Sequence, residues 1–359
     1  MITAEAVIDL NALRHNYARL KEISRCNRVI AVIKGDAYGH CAVEVAKALD
    51  IADTFAVSRI EEAMELRTAG IQQPILLLEG CFCREDLAVA SELNFQTVIH
   101  DKTQLEDLVA IRLSQPIITW LKVDTGMHRL GVQPGDVSEY VERLSNSSNI
   151  KGEINFVSHF SCADDKESSV TQHQIDVFES VIADFPGAKS IANSAGILFW
   201  DLAHFDQVRA GIALYGISPD ENSIGSEYGL KPVMTLQSKL ISVREHGAGK
   251  PVGYGEIWKS STPTKIGVVA MGYGDGYPRL APSGTPIWVN GREVPIVGRV
   301  SMDMITVDLG LDSQDRVGDS VEFWGENLPI EKVANEVGTI PYELTIKLTK
   351  RVVKTYKAL

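Results

Sequence analysis

Several signatures are missing from this chain, and each absence removes a class of function. The amino terminus has no basic segment followed by an apolar core, and no apolar stretch approaches the roughly 18 residues of a membrane-spanning helix. That pattern predicts a cytoplasmic protein with no membrane partner. Basic blocks are also absent: no more than two lysines or arginines adjoin, and 35 of them face 47 acidic residues for a formal charge of −12. A nucleic-acid partner is therefore excluded, and an anionic ligand has to be held by local groups. Cysteine is scarce. The five present (Cys26, Cys41, Cys81, Cys83, Cys162) form an odd set without a secretion signal, which predicts reduced thiols. Cys81 and Cys83 have no second cysteine or histidine pair at ligand spacing, so no metal site is expected.

What is present is a long alternation. At 359 residues the chain exceeds one ordinary core. Up to about residue 220, eight short apolar runs alternate with helical patterns: Arg28–Lys34, Thr54–Val57, Pro74–Glu79, Gln96–Ile99, Pro116–Asp124, Glu153–His159, Ser190–Asn193 and Phe205–Ala210. Amphipathic segments such as Leu10–Ile23 and Arg59–Ala69, the latter stopped by Gly70, fit between or before them. This predicts an α/β fold with an N-terminal (β/α)8 TIM-type barrel over 1–225. An open doubly wound sheet ranks second, because no G-x-G-x-x-G follows the first run.

After a polar linker at Asp220–Ser226, strand-like segments follow one another without helices, which predicts a mainly antiparallel β domain over 226–359. Asn290-Gly291 is the strongest hairpin signal, because both residues tolerate the positive φ of a type I′ turn. Only Ile330–Glu336 and the tail Tyr342–Val352 read as helical there.

Chemistry-bearing residues collect at the predicted strand ends. Lys34 ends the first run, Lys122 and Asp124 the fifth, His159 the sixth, Asn193-Ser194 the seventh and Arg209 the eighth, with Arg129 just beyond the fifth. Taken singly, a strand-end lysine is more often a solvated charge. Coincidence across five strands predicts one site at the carboxyl face, where barrel enzymes place their chemistry. An amine desolvated there can form a Schiff base with a carbonyl cofactor.

The same residues carry a resemblance that runs end to end: Ala31–His40, KVDTGMHRLG at 122–131, VSHF at 157–160, RAGIALYG at 209–216, VGYGE at 252–256, MGYGDGYPR at 271–279, VGRVSMD at 297–303 and TIPYE at 339–343. The chain resembles the alanine racemases, pyridoxal 5′-phosphate enzymes of the barrel-plus-β-domain class. Two positions depart from the family's usual pattern, with Asp36 where asparagine is usual and Cys41 where glycine is usual.

The resemblance implies reversible racemisation of L- and D-alanine by two bases, Lys34 and Tyr254, with Tyr254 presented by the partner subunit of a homodimer. An unperturbed tyrosine titrates near pH 10, so a cationic environment from His159 and Arg209 is expected around the second base. Arg209 is expected at the cofactor's ring nitrogen, and the phosphate at Tyr38, Ser194, Gly211, Ile212 and Tyr342. Arg129 and the amide of Met302 are the expected substrate-carboxylate ligands, Lys122 a carbamylation site that orients Arg129, and Tyr273 an entry-channel residue. Competing readings are a racemase for serine or another amino acid, a non-catalytic pyridoxal-phosphate carrier, which lacks a β domain, and a metal-dependent barrel hydrolase.

Overall fold

The computed structural model describes residues 4–24, 26 and 28–358. The chain divides into two compact units, Arg14–Leu214 and Met1–Leu13 with Tyr215–Leu359. The first strand, β1 (Ala4–Asp9), belongs to the second of these, a pairing that the division at 225 did not anticipate. Asp9 Oδ1 then accepts the amides of Asn11 and Ala12 at 2.9 Å each and starts the helix Leu10–Ser24.

The Arg14–Leu214 unit holds the eight expected strands: β2 (Arg28–Val32), β3 (Thr54–Val57), β4 (Ile75–Leu77), β5 (Phe95–Ile99), β6 (Thr119–Lys122), β7 (Asn155–Val157), β8 (Lys189–Ser190) and β9 (Gln207–Ala210). All neighbours are parallel, and β9 returns to pair with β2. Asp206 N to Lys189 O (3.2 Å) and Arg209 N to Ala192 O (2.9 Å) close the remaining gap between β8 and β9. Strands covered on both faces should be apolar throughout. Every residue of Val29–Val32, Thr54–Val57 and Ile75–Leu77 is buried. Phe55, Phe156 and Phe178 are fully buried, and truncating one to alanine costs about 3–5 kcal/mol. The helix Ile60–Thr68 ends where expected, at Gly70, whose φ of +89° admits few other residues.

The other unit is mainly antiparallel. Its central strand β10 (Met234–His246) is followed by β11 (Pro251–Val252), β12 (Trp258–Lys259), β13 (Thr264–Val269), β14 (Pro286–Val289), β15 (Arg292–Pro295), β16 (Ile305–Asp308), β17 (Ser320–Trp324) and β18 (Val353–Lys357). The first half of β10 pairs with β1 and β17, and the second half, past a register shift at Leu240/Ser242, pairs with β13. Asn290 (φ +46°) and Gly291 (φ +85°) make the expected tight turn between β14 and β15.

Two expectations are corrected here. The tail is helical only over Pro341–Ile346, and after a turn it becomes β18, parallel to β1. Its sequence Val353-Lys354-Thr355-Tyr356-Lys357 is β-branched and alternating, a strand signal just past the end of the expected helix. The segment 220–226 is not a loose linker. The buried Glu331 carboxylate accepts the amides of Ser218 (2.8 Å) and Gly225 (3.0 Å), and Ser218 Oγ lies 2.8 Å from Ser223 Oγ. No described helix is long and apolar enough to cross a membrane.

Candidate active site

Lys34 lies two residues past the end of β2 and opens an unusual turn. Gly35, Asp36, Ala37 and Tyr38 all take left-handed backbone angles, with φ between +53° and +62°. Glycine does so freely, whereas the other three cost roughly 1–2 kcal/mol each. Surrounding groups overdetermine the turn. Ala37 N bonds Ile33 O (2.9 Å), Cys41 N bonds Asp36 O (3.0 Å), and His40 Nδ1 reaches the carbonyls of Ala37 and Tyr38 at 3.0 Å. Glu62 accepts the Gly35 amide at 2.6 Å with one oxygen and the amides of Ser58 and Arg59 with the other. Asp36 accepts Ala42 N at 2.8 Å, so the residue that departs from the family pattern caps the helix Ala42–Ala48. Cys41, the other departure, sits at φ +74°, a conformation that suits glycine.

The Lys34 amine is pushed below the ordinary lysine value, chiefly by burial. Glu79 and Glu62 oppose that shift, while the positive fields of Arg129 and Arg209 add to it. Beyond the turn, Tyr38 approaches Ser194 and Gly211. A Cβ on Gly211 would lie 2.9 Å from Tyr38 Oη and 3.6 Å from Ser194 Oγ. Ser194 Oγ accepts the amides of Gly211 (3.0 Å) and Ala213 (3.1 Å), which leaves its proton as the group it can offer a ligand. The Gly211 amide is thereby committed to Ser194, and Ile212 beside it is buried.

Arg209, only 4 % exposed, projects from β9 into a cage of neutral acceptors. Nη1 donates to Ser190 O (2.9 Å) and Ser190 Oγ (2.8 Å), and Nη2 to Ser158 O (2.6 Å), Ile191 O (3.2 Å) and His159 Nδ1 (3.3 Å). Burial lowers its pKa to about 10, so it stays charged at neutral pH. Because arginine only donates, His159 Nδ1 must accept, which puts the imidazole proton on Nε2. Burial first, then Arg209, Lys122, Arg129 and Lys34, holds His159 well below the ordinary histidine value. This corrects the expectation that His159 adds positive charge: the imidazole is neutral, and the charge is Arg209's.

Lys122, at the end of β6, has its pKa lowered to about 7 by burial and by Arg209 and Arg129, against the pull of Asp124. Asp124 organises the next loop. Its Oδ1 accepts the amides of Gly126 (3.1 Å) and His128 (3.0 Å), and its Oδ2 lies 3.1 Å from His128 Nδ1. Val132 N to Lys122 O (2.8 Å) and Asp124 N to Val132 O (2.9 Å) pin the loop at its base, leaving Arg129 exposed on it.

The other expected residues belong to the β unit. Tyr254 lies in the turn of the β11–β12 hairpin, 70 % exposed, while Trp258 packs that hairpin against Val252, Ile266 and Val297. Tyr273 and Met302 sit on interlocked turns, with Tyr273 N bonded to Ser301 O (3.0 Å) and Gly274 N to Met302 O (2.8 Å). Arg351 ties the same turns through Asp275 (3.0 Å) and Asp303 (2.8 Å). Tyr342 lies on Pro341–Ile346 and is half-buried. Sequence reasoning missed Glu62, Glu79, Thr125, Ser158, Gln174 and Ser190. Ser158 and Thr125 stood inside the VSHF and KVDTGMHRLG motifs, but Glu62, Glu79, Gln174 and Ser190 lay outside every motif.

Comparison with known proteins bears on this arrangement. The family profile "Alanine racemase, N-terminal domain" matches residues 8–219, and "Alanine racemase, C-terminal domain" matches 233–356. A Salmonella typhimurium protein named "Alanine racemase, biosynthetic" is 52% identical over 357 residues, 99% of each chain. The biosynthetic alanine racemase from Pseudomonas aeruginosa superposes with a TM-score of 0.96 at 45% identity over 100% of both chains. The alanine racemase from Bartonella henselae, described with covalently bound pyridoxal phosphate, gives 0.89 at 32% identity over 99% of each.

Proposed function

Because the chain belongs to the alanine racemase family, we propose that it interconverts L- and D-alanine with pyridoxal 5′-phosphate and Lys34 and Tyr254 as opposing bases. The observation that carries this reading is the Lys34 amine, desolvated at a barrel strand end within the fields of Arg129 and Arg209. The residues fit the cofactor. Lys34 supplies the amine for covalent attachment, and the Tyr38 and Ser194 hydroxyls face Gly211 where a side chain has no room. These two, with the Ile212 amide and Tyr342, would hold the phosphate, and Gly211, its own amide bonded to Ser194, would leave room for it. When bound, the cofactor's conjugated ring spreads the negative charge left by loss of the Cα proton.

Arg209 would meet the ring nitrogen. It donates a hydrogen bond there without surrendering its proton, which keeps the ring a weak electron sink and favours return of the proton to Cα over transamination. Arg129 and the Met302 amide would bind the substrate carboxylate. Lys122, near 7, is partly neutral at physiological pH and so open to carbamylation by carbon dioxide, which would give Arg129 an anion to orient it. Lys34 Nζ and Tyr254 Oη would move protons on opposite faces of Cα, with Tyr254 and Met302 supplied by a second copy of the chain and Tyr273 narrowing the approach. The exposure of Tyr254 on a well-anchored hairpin supports that shared arrangement.

The role proposed is supply of D-alanine for peptidoglycan in the cytoplasm, supported by relatives named biosynthetic. One assay tests the reading: purified protein incubated with L-alanine, L-serine and L-lysine should form the D-enantiomer fastest from alanine. Preference for another substrate, or no racemisation, overturns it.

A further inference from the structure

The helix Ser169–Ile182 lies outside every motif that points to the site, yet it carries a fully buried polar side chain, Gln174, whose amide is saturated. Nε2 donates to His159 O (3.0 Å) and Thr125 Oγ1 (3.2 Å), and Oε1 accepts from Ser161 N (3.0 Å) and Ser161 Oγ (3.1 Å). Only one amide orientation works, since a flipped group would set oxygen against the His159 carbonyl and nitrogen against the Ser161 N–H.

The proton order of the chain beyond it follows. Ser158 Oγ donates to Val123 O (2.8 Å), so it accepts from Thr125 Oγ1, 2.8 Å away, and Thr125 in turn accepts from Gln174. Ser158 O is also the shortest acceptor of Arg209. The stem of Gln174 lies under Gly126, where a Cβ would come within 3.5 Å of its Cγ. A single side chain thus binds the backbone of His159 and the start of the loop that ends in Arg129.

We propose that Gln174 is a positioning residue that sets the His159 backbone and the Arg129 loop as one unit, and so governs recognition of the substrate carboxylate. This rests on the function proposed above. Gln174→Met keeps the length and removes all four bonds, so KM for L-alanine should rise by up to about 10²-fold, the scale of a misplaced binding group. Binding of propionate, which has alanine's carboxylate without its amine, should weaken in parallel by calorimetry, with cofactor content per folded chain unchanged. Thr125→Val cuts the same chain from its other end and should reproduce the KM rise, and the double variant should add little. Gln174→Glu supplies a donor only when protonated, so its KM should fall as pH is lowered relative to the parent enzyme.

Unchanged KM and propionate affinity in folded Gln174→Met overturn the proposal. If Gln174→Met does not fold, unchanged values in Thr125→Val do so. Absence of racemisation in the unsubstituted protein overturns the underlying function instead, and is seen before any variant is made.

Discussion

The barrel mouth and the exposed turns of the β unit hold their expected site residues in opposite ways. In the barrel, Arg209 is 4 % exposed and every bond it makes goes to a neutral acceptor, so its position is set by the protein alone. In the β unit, Tyr254 and Met302 are 70 % and 52 % exposed, although the backbone beneath them is pinned by Trp258 packing and by the Arg351 ion pairs. The first arrangement is complete in itself. The second presents exposed side chains on rigid supports, which is what the shared site proposed above calls for.

The sharpest way to break this contrast is Lys34→Ala, which should abolish racemisation. In the unsubstituted protein, borohydride should fix pyridoxyl mass on the peptide containing Lys34. Label on another lysine would refute the assignment. Tyr254→Phe should cost about 10²–10⁴-fold in racemisation, the usual range for a lost general base. Because the residue is exposed, its melting temperature should not move. Deuterium exchange at Cα should survive much better from one enantiomer than from the other. Mixing the two inactive variants under subunit exchange should restore activity through heterodimers with one intact site. No recovery despite verified exchange would place both bases in one chain.

Lys122 gives a pH test. Its folded pKa, about 7, lies below the ordinary value of 10.5, so between these values the unfolded chain binds more protons. Its burial penalty is complete below about 7 and is relieved as pH rises towards 10.5. Urea midpoints of Lys122→Met should therefore lack a rise that the unsubstituted protein shows across that window, and identical slopes would contradict the shift. Smaller effects follow. Ser190→Ala removes a hydroxyl acceptor from the buried Arg209 and should lower stability by about 1.5–3 kcal/mol in urea. Cys41→Gly should raise it by about 1 kcal/mol by relieving the +74° φ, and a loss would show that the thiol packs usefully.

Legibility varied in a physically sensible way. The eight barrel strands were readable because each is a short run buried on both faces, and the Asn290-Gly291 turn because its chemistry is local. The last strand went unassigned because its partner is β1, at the far end of the chain. Glu62 was invisible as a support of the lysine turn for the same reason, since it reaches the Gly35 amide from the next helix.

The sequence by itself determined which residue types stand at the strand ends, since apolar periodicity and turn residues are properties of neighbours along the chain. Only the tertiary structure decided their states: His159 neutral, Lys122 near 7, Arg209 caged, and Gln174 joined to His159 and Thr125. Protonation and hydrogen-bond direction depend on desolvation and on partners brought from distant segments, and linear order does not encode those distances.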